Sequence, residues 1–191
     1  MTRATDLSDL TGMLLIAMPG MTDSRFAKSV VYLCAHSDEG AMGLIINKPT
    51  PELNLRSMLD QLSLPISDNI REVPIYFGGP VEHVRGFVLH SPDFTSDMST
   101  LQVNAAFSMT GTLDVLEEFG QGRGPFQAIL ALGYAGWGPG QLESEIGQNG
   151  WLTCPASTKL VFETPDAAKW EAALQTLGIE ALTLSASAGR A

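Results

Sequence analysis

Two residues apart on a β-branched stretch, "SVVYLCAH", the sequence places a thiol, Cys34, and an imidazole, His36. On a regular strand both side chains point to one face. A thiol beside an imidazole is the raw material of a nucleophile, because a neighbouring base lowers the cost of forming thiolate. His90 ends a second apolar run, "FVLH", and Asp38, Glu39 and Asp93 stand in adjacent turn sequences. Cys34, His36 and His90 are therefore the candidate catalytic residues of a small-molecule enzyme, a hydrolase or a transferase. The ordinary alternative is a small buried thiol and two strand-end histidines bonded to nearby turns. As ligands the three match no common zinc spacing, so no metal is assigned. His83, in "GGPVEHV", is expected to be exposed.

A second stretch, "GYAGWGPGQLESEI" (Gly133–Ile146), runs from a strand end into a short acidic helix signal. Its glycines permit close backbone approach, Pro139 suits a first helical turn, and free N–H groups at a helix start can hold an anion. No Lys-Ser/Thr follows, however, and Glu143 and Glu145 satisfy the helix dipole and repel phosphate. A tight corner with Tyr134 and Trp137 packed as core is expected. The competing reading is a ligand loop touching Tyr134, Gly136, Trp137 and Gln141. "GGPV" (Gly78–Val81) lacks the third glycine of a dinucleotide fingerprint and reads as a turn, with Gly78 and Gly79 as its candidate ligand contacts. Arg25 in "RFAKS" and Asn47 in "NKP" lie, with two lysines, at the ends of a hairpin, where they can meet a carboxylate or phosphate or stay solvated. Any pocket is expected between the glycine-rich corner, "GGPV" and the end of the "CAH" strand. No cofactor is assigned.

These residues need elements to hold them. "LLIAM" reads as a buried strand, and residues 29–47 as a hairpin turning at "SDEGA". Leu55, Met58, Leu59 and Leu62 form a helical stripe closed by Pro65. "PIYFG" and "RGFVLH" are strands, "TLDVLEEFGQG" a threonine-capped helix, and "FQAILALGY" a central strand covered on both faces. "WLTCPA" and "KLVFE" are expected to be strands and "PDAAKWEAALQTLG" a last helix. Strands that follow one another directly argue for α+β, and 191 residues without a linker for one domain.

Net charge is −10, from 21 acidic and 11 scattered basic residues. Such a surface repels phosphate backbones and anionic lipid, so neither direct nucleic-acid binding nor membrane binding is expected. The apolar run Met13–Met18 is too short for a membrane span, and two cysteines without a CxxC pair suit a reducing cytoplasm.

Three ordered blocks, "LIAMPGMTDSRFAKSVVYLCAHSDEGAMGLIINKP", "FGGPVEHVRGFVLH" and "LGYAGWGPGQLESEIGQNGWL", together resemble the AlgH/YqgE family. The resemblance runs through nearly the whole chain. Its motifs fall on Arg25, Phe26, Ser29, His36, Gly40, Gly43, Asn47 and Pro49, then on Gly78, Gly79, Pro80, Val81 and His90. In the third block they are Gly133, Tyr134, Gly136, Trp137, Gln141, Leu142 and Glu145. The chain departs from many members at Ala35, where an acid is usual, and at Gly150, where alanine is. The resemblance implies one α+β domain over residues 1–191, with residues 1–10 as a loose lead-in. In it a branched mixed β-sheet curls into a pseudo-barrel with helices packed outside. Members are often labelled transcriptional regulators. The expectation is a cytoplasmic, non-catalytic regulator acting indirectly through an unidentified protein or small ligand. The enzyme built on Cys34, His36 and His90 is the alternative, and a direct DNA-binding regulator the least supported.

Overall fold

The computed structural model describes residues 9–188. Nine strands are assigned among them: β1 (Met13–Ala17), β2 (Val30–Ser37), β3 (Gly40–Ile45), β4 (Ile75–Phe77), β5 (Val81–His90), β6 (Leu101–Gln102), β7 (Ser108–Thr110), β8 (Ala128–Trp137) and β9 (Trp151–Pro155). The helices are α1 (Leu55–Gln61), α2 (Leu113–Gly120), α3 (Gln141–Gly147), α4 (Asp166–Thr176) and α5 (Ala181–Ala188). The sheet runs β6-β7-β5-β8-β3-β2-β1-β9, with β4 attached to β8 beside this path.

The branch has a definite place. Residues 130–132 of β8 pair with β4 in parallel and with β5 antiparallel, so those two strands lie on opposite edges of β8. Further along, β3 takes over pairing at Ala135–Trp137. The link from β4 to β5 must therefore cross the face of β8, and it does so at Gly78 and Gly79. A Cβ on Gly78 would lie 2.3 Å from the Gly133 carbonyl oxygen, and one on Gly79 2.1 Å from the Tyr134 carbonyl carbon. Gly79 (φ +154°) and Gly133 (φ +75°) also hold backbone conformations that side chains disfavour. The glycines of "GGPV" thus serve a backbone crossing rather than a simple turn.

The sheet curls. Tyr32 on β2 and Phe107, just before β7, are four strand steps apart, about 19 Å on a flat sheet. Their rings lie 4.8 Å apart. Leu14, Tyr32, Leu44, Leu89 and Ile129 share one inner cluster, sealed by Trp170, Ala173 and Leu174 of α4. Leu15, Val31, Leu33 and Ile45 face the other way, with Leu142 of α3 and Trp151. A third cluster sets α1 and α2 against Ile75, Val88 and Leu130. β8 contributes to all three, which accounts for its nearly unbroken apolar sequence. α4 is fastened by Lys169, buried, whose Nζ donates to the Ile46 carbonyl (2.7 Å) and pairs with Asp166 (2.9 Å). Trp170 Nε1 donates to the Ala17 carbonyl (2.9 Å).

Several local expectations are corrected. "KLVFE" is a π-helical turn (Lys159–Glu163), not a strand. Thr112 precedes α2 without capping its backbone; its hydroxyl goes to Asp114 instead. Residues 1–8 of the expected loose lead-in lie outside the described residues, while Leu10 is already buried in the core. The short β6 and β7 and helix α5 were not foreseen.

Alanine at Gly79 or Gly133 should destabilise the fold by at least about 2 kcal/mol, since backbone meets backbone at the crossing. A melt should show it as a drop of about 4–8 °C. Gly140→Ala, at a comparable φ of +73° but with nothing within 4 Å of the added Cβ, isolates the backbone contact from the φ strain and should lose less.

Candidate functional site

His36 stands at the end of β2 opposite Ala41, and Ala41 stands opposite Trp137 of β8. This pairing carries the "CAH" strand end to the glycine-rich corner. His36 Nδ1 accepts from the Leu10 backbone N–H (2.9 Å), so its proton sits on Nε2 and is donated to the Glu143 carboxylate of α3. The imidazole side chain is 2% exposed and both its nitrogens are engaged. The His36 bond holds the Glu143 carboxyl below its ordinary pKa of 4.5. Glu143 thus anchors the strand end, besides facing its own helix dipole.

Cys34 does not join His36. The register of β2 against β3 slips between Leu33 and Ala35, a β-bulge that breaks the two-residue alternation. Cys34 packs in the inner cluster with Tyr32, whereas the partners of His36, Leu10 and α3, belong to the opposite face. Burial pushes the Cys34 thiol up to about 12, the reverse of what a nucleophile needs. His90 is farther still. It lies opposite Ala128, at the other end of β8 from Trp137, nine residues and about 30 Å away. Its Nδ1–H donates to the Ser91 carbonyl (2.7 Å), and its Nε2 accepts from the Thr110 hydroxyl (2.8 Å). The proposed Cys34/His36/His90 cluster is therefore not formed, and among the described residues no three His, Cys, Asp or Glu side chains gather as a metal site.

What does form is an open cleft of about 780 Å³ between the corner, the β2–β3 turn and the first half of β5. Tyr134, Gly136 and Trp137 line it together with His36, Met42 and Phe87. Tyr134 is half-buried and packs edge-on against Phe87, 5.7 Å between centroids. Trp137 is buried and meets Trp151 edge-on at 6.0 Å. Glu82 and Arg85 supply the charged rim of this side, Arg85 lying 4.9 Å over the Phe87 ring. Both stand on a wide bulge, for β5 advances five residues from Val81 to Gly86 while β8 advances two. Phe87 and Arg85 are residues that the sequence reading passed over.

The other candidates fall elsewhere. Gly78 and Gly79 make the crossing beside the cleft and are not among its lining residues. Gln141 Oε1 accepts from the Gly138 N–H (3.0 Å), which closes the corner. Asn47 ties the far end of the hairpin, accepting from the Val30 N–H and donating to the Lys28 carbonyl, both at 2.9 Å. Arg25 is exposed and paired with Asp23 (2.7 Å). Six residues of β2, about 20 Å, separate these two from the cleft. Glu145, carried over from the family motif, sits beneath the corner facing Trp137 and Trp151, and burial raises its carboxyl.

Comparison with known proteins places this arrangement. A family model described as AlgH-like matches residues 14–182. A UPF0301 protein of Ruegeria pomeroyi is 58% identical over 184 residues, covering 96% of this chain and all of the relative. One from Methylobacterium sp. (strain 4-46) is 53% identical over 196 residues, 99% of this chain and 93% of the relative. The solution structure of AlgH from Pseudomonas aeruginosa superposes with a TM-score of 0.78 at 42% identity over the whole of both chains. A Corynebacterium diphtheriae protein shares the fold at 20% identity, with a TM-score of 0.67 over 86% of this chain and 85% of that one.

Two predictions follow from the histidines. Glu143→Ala should cost about 1 kcal/mol at neutral pH, a fall in Tm of about 2–4 °C, with Glu143→Gln losing less because its amide oxygen still accepts from His36. The carboxylate's share is present above 4.5 and lost as pH falls through its lower folded value, so wild type and Glu143→Gln should converge in acid. Burial holds His90 below its ordinary 6.5. The unfolded chain then takes up that proton first, and stability should fall as pH drops below 6.5. Urea midpoints between pH 7 and pH 5 should show a shallower decline in His90→Gln.

Proposed function

The chain belongs to the AlgH-like family, and from that premise we propose that it is a cytoplasmic, non-catalytic regulator that acts indirectly, by receiving a small ligand or a protein segment in the cleft. One observation carries this reading. The cleft gathers Tyr134, Phe87 and Trp137 beside Arg85, yet the only histidine in its wall has both nitrogens committed, and the Cys34 thiol is buried within the inner cluster and does not line the cleft. Aromatic walls with one or two charged groups suit recognition, and a nucleophile, its base and an orienting group are what a reaction would need.

The hydrolase or transferase reading loses its nucleophile at Cys34 and its second histidine at His90, and it is not carried further. A regulator of gene expression with a charge of −10 is better suited to contacting another protein or a metabolite than an operator.

The test is a thermal-shift screen of wild type and Tyr134→Ala against small acids, nucleotides, common cofactors and metals. A ligand at about 100 times its Kd adds roughly 2.7 kcal/mol, or about 5–10 °C for a domain of this size. The expected hit raises the wild-type Tm, quenches tryptophan fluorescence and is lost in Tyr134→Ala. Turnover of any panel compound that depends on Cys34 or His36 would overturn the reading.

A further inference from the structure

Beyond the bulge, on the other face of β5, lies a depression that the cleft does not explain. It is an apolar groove of about 440 Å³ between α1, the bulge and the start of α2. Leu53, Leu62, Val84 and Leu113 stand exposed around it, Val84 at 84% and Leu113 at 51%. Single exposed apolar side chains are ordinary, but four around one concavity are a patch that water covers poorly. In a chain with 21 acidic residues, no Asp or Glu lines this groove; its only titratable side chains are His83 and Arg85.

We propose that this groove docks an amphipathic segment of a protein partner, seated by two or three apolar side chains and flanked by acidic residues that meet Arg85 and His83. The groove is apolar within, and the one full charge in its lining is the Arg85 guanidinium, which fits the apolar stripe and one acidic flank of a short helix. Charge then selects the site. An acidic segment is repelled by most of a −10 surface, and at this groove repulsion gives way to attraction. Arg85 is available for it: its ion pair with Glu82 is exposed and long, at 3.5 Å, so most of the five guanidinium donors are free. This goes beyond the cleft reading and uses none of its residues except Arg85, which borders both depressions.

The experiment is fluorescence anisotropy of the full chain with labelled synthetic helical peptides of about four turns, carrying leucines at i, i+3 and i+7. One peptide has glutamates on the flanks, a second lysines, and a third is the glutamate peptide scrambled. The expected result is binding of the glutamate peptide at near-physiological salt, at least about tenfold tighter than either control. Val84→Glu should abolish it, and Arg85→Glu should reverse the preference toward the lysine peptide. Both positions are exposed, so unchanged melting curves will show that the fold is intact. Tyr134→Ala, which alters the cleft alone, should leave peptide binding unchanged. Equal binding of the acidic and basic peptides, binding indifferent to Val84→Glu, or no binding at all would overturn the proposal. So would self-association in sedimentation equilibrium that Val84→Glu removes, since a second copy would then be the occupant.

Discussion

The fold depends on one close passage of backbone over backbone. β4 and β5 flank the same three residues of β8, so the short link between them has to pass across that strand's face. Only chain without side chains fits there, and glycine stands on both sides of the contact: Gly78 and Gly79 above, Gly133 below. The passage fixes where β5 begins, and it leaves the upper part of β8's other edge for β3. The hydrogen bond from Ile45 N–H to the Gly78 carbonyl (2.9 Å) ties that branch together. The cleft exists because of this branch. Its walls are the two strands that β8 carries beyond the crossing.

From the branch the two depressions inherit different characters. The cleft lies where β8 ends and has aromatic walls, with a histidine that serves as a fastening. The groove lies on the opposite face of β5, where α1 and α2 leave the sheet incompletely covered. The bulge between them is three residues longer on β5 than on β8, and its surplus projects Val84 and Arg85 outward. A regular ladder would have laid these side chains against the sheet and left neither rim.

Much of the scaffold was legible from local chemistry. The hairpin over residues 29–47 follows from β-branched runs around a polar turn, and α1 and α4 follow from their apolar stripes. "KLVFE" misled because a short apolar run has no period of its own; Leu160 and Val161 are both buried, and a π-turn satisfies that as well as a strand does. At the site, Tyr134, Trp137 and His36 line one cleft, and their meeting depends on β3 pairing with β8, a contact between segments nearly a hundred residues apart that no local pattern announces. The bulge at Cys34 had no local signal in "LCAH", and without it the thiol and imidazole would have shared a face. Arg85 was passed over because only the displaced ladder of β5 makes it more than one arginine among scattered bases.

The bonds from α4 bear on how the polypeptide is closed. Trp170 reaches back 153 positions to the Ala17 carbonyl, and Lys169 reaches back 123 to that of Ile46. The last long helix is therefore clasped to the first strand, and the molecule behaves as a ring with its seam beside β1. Cutting the chain ahead of α4 would strand two buried carbonyls and open the inner core, so a fragment ending there should not hold together. Position along the sequence, in this protein, is a poor guide to what is peripheral.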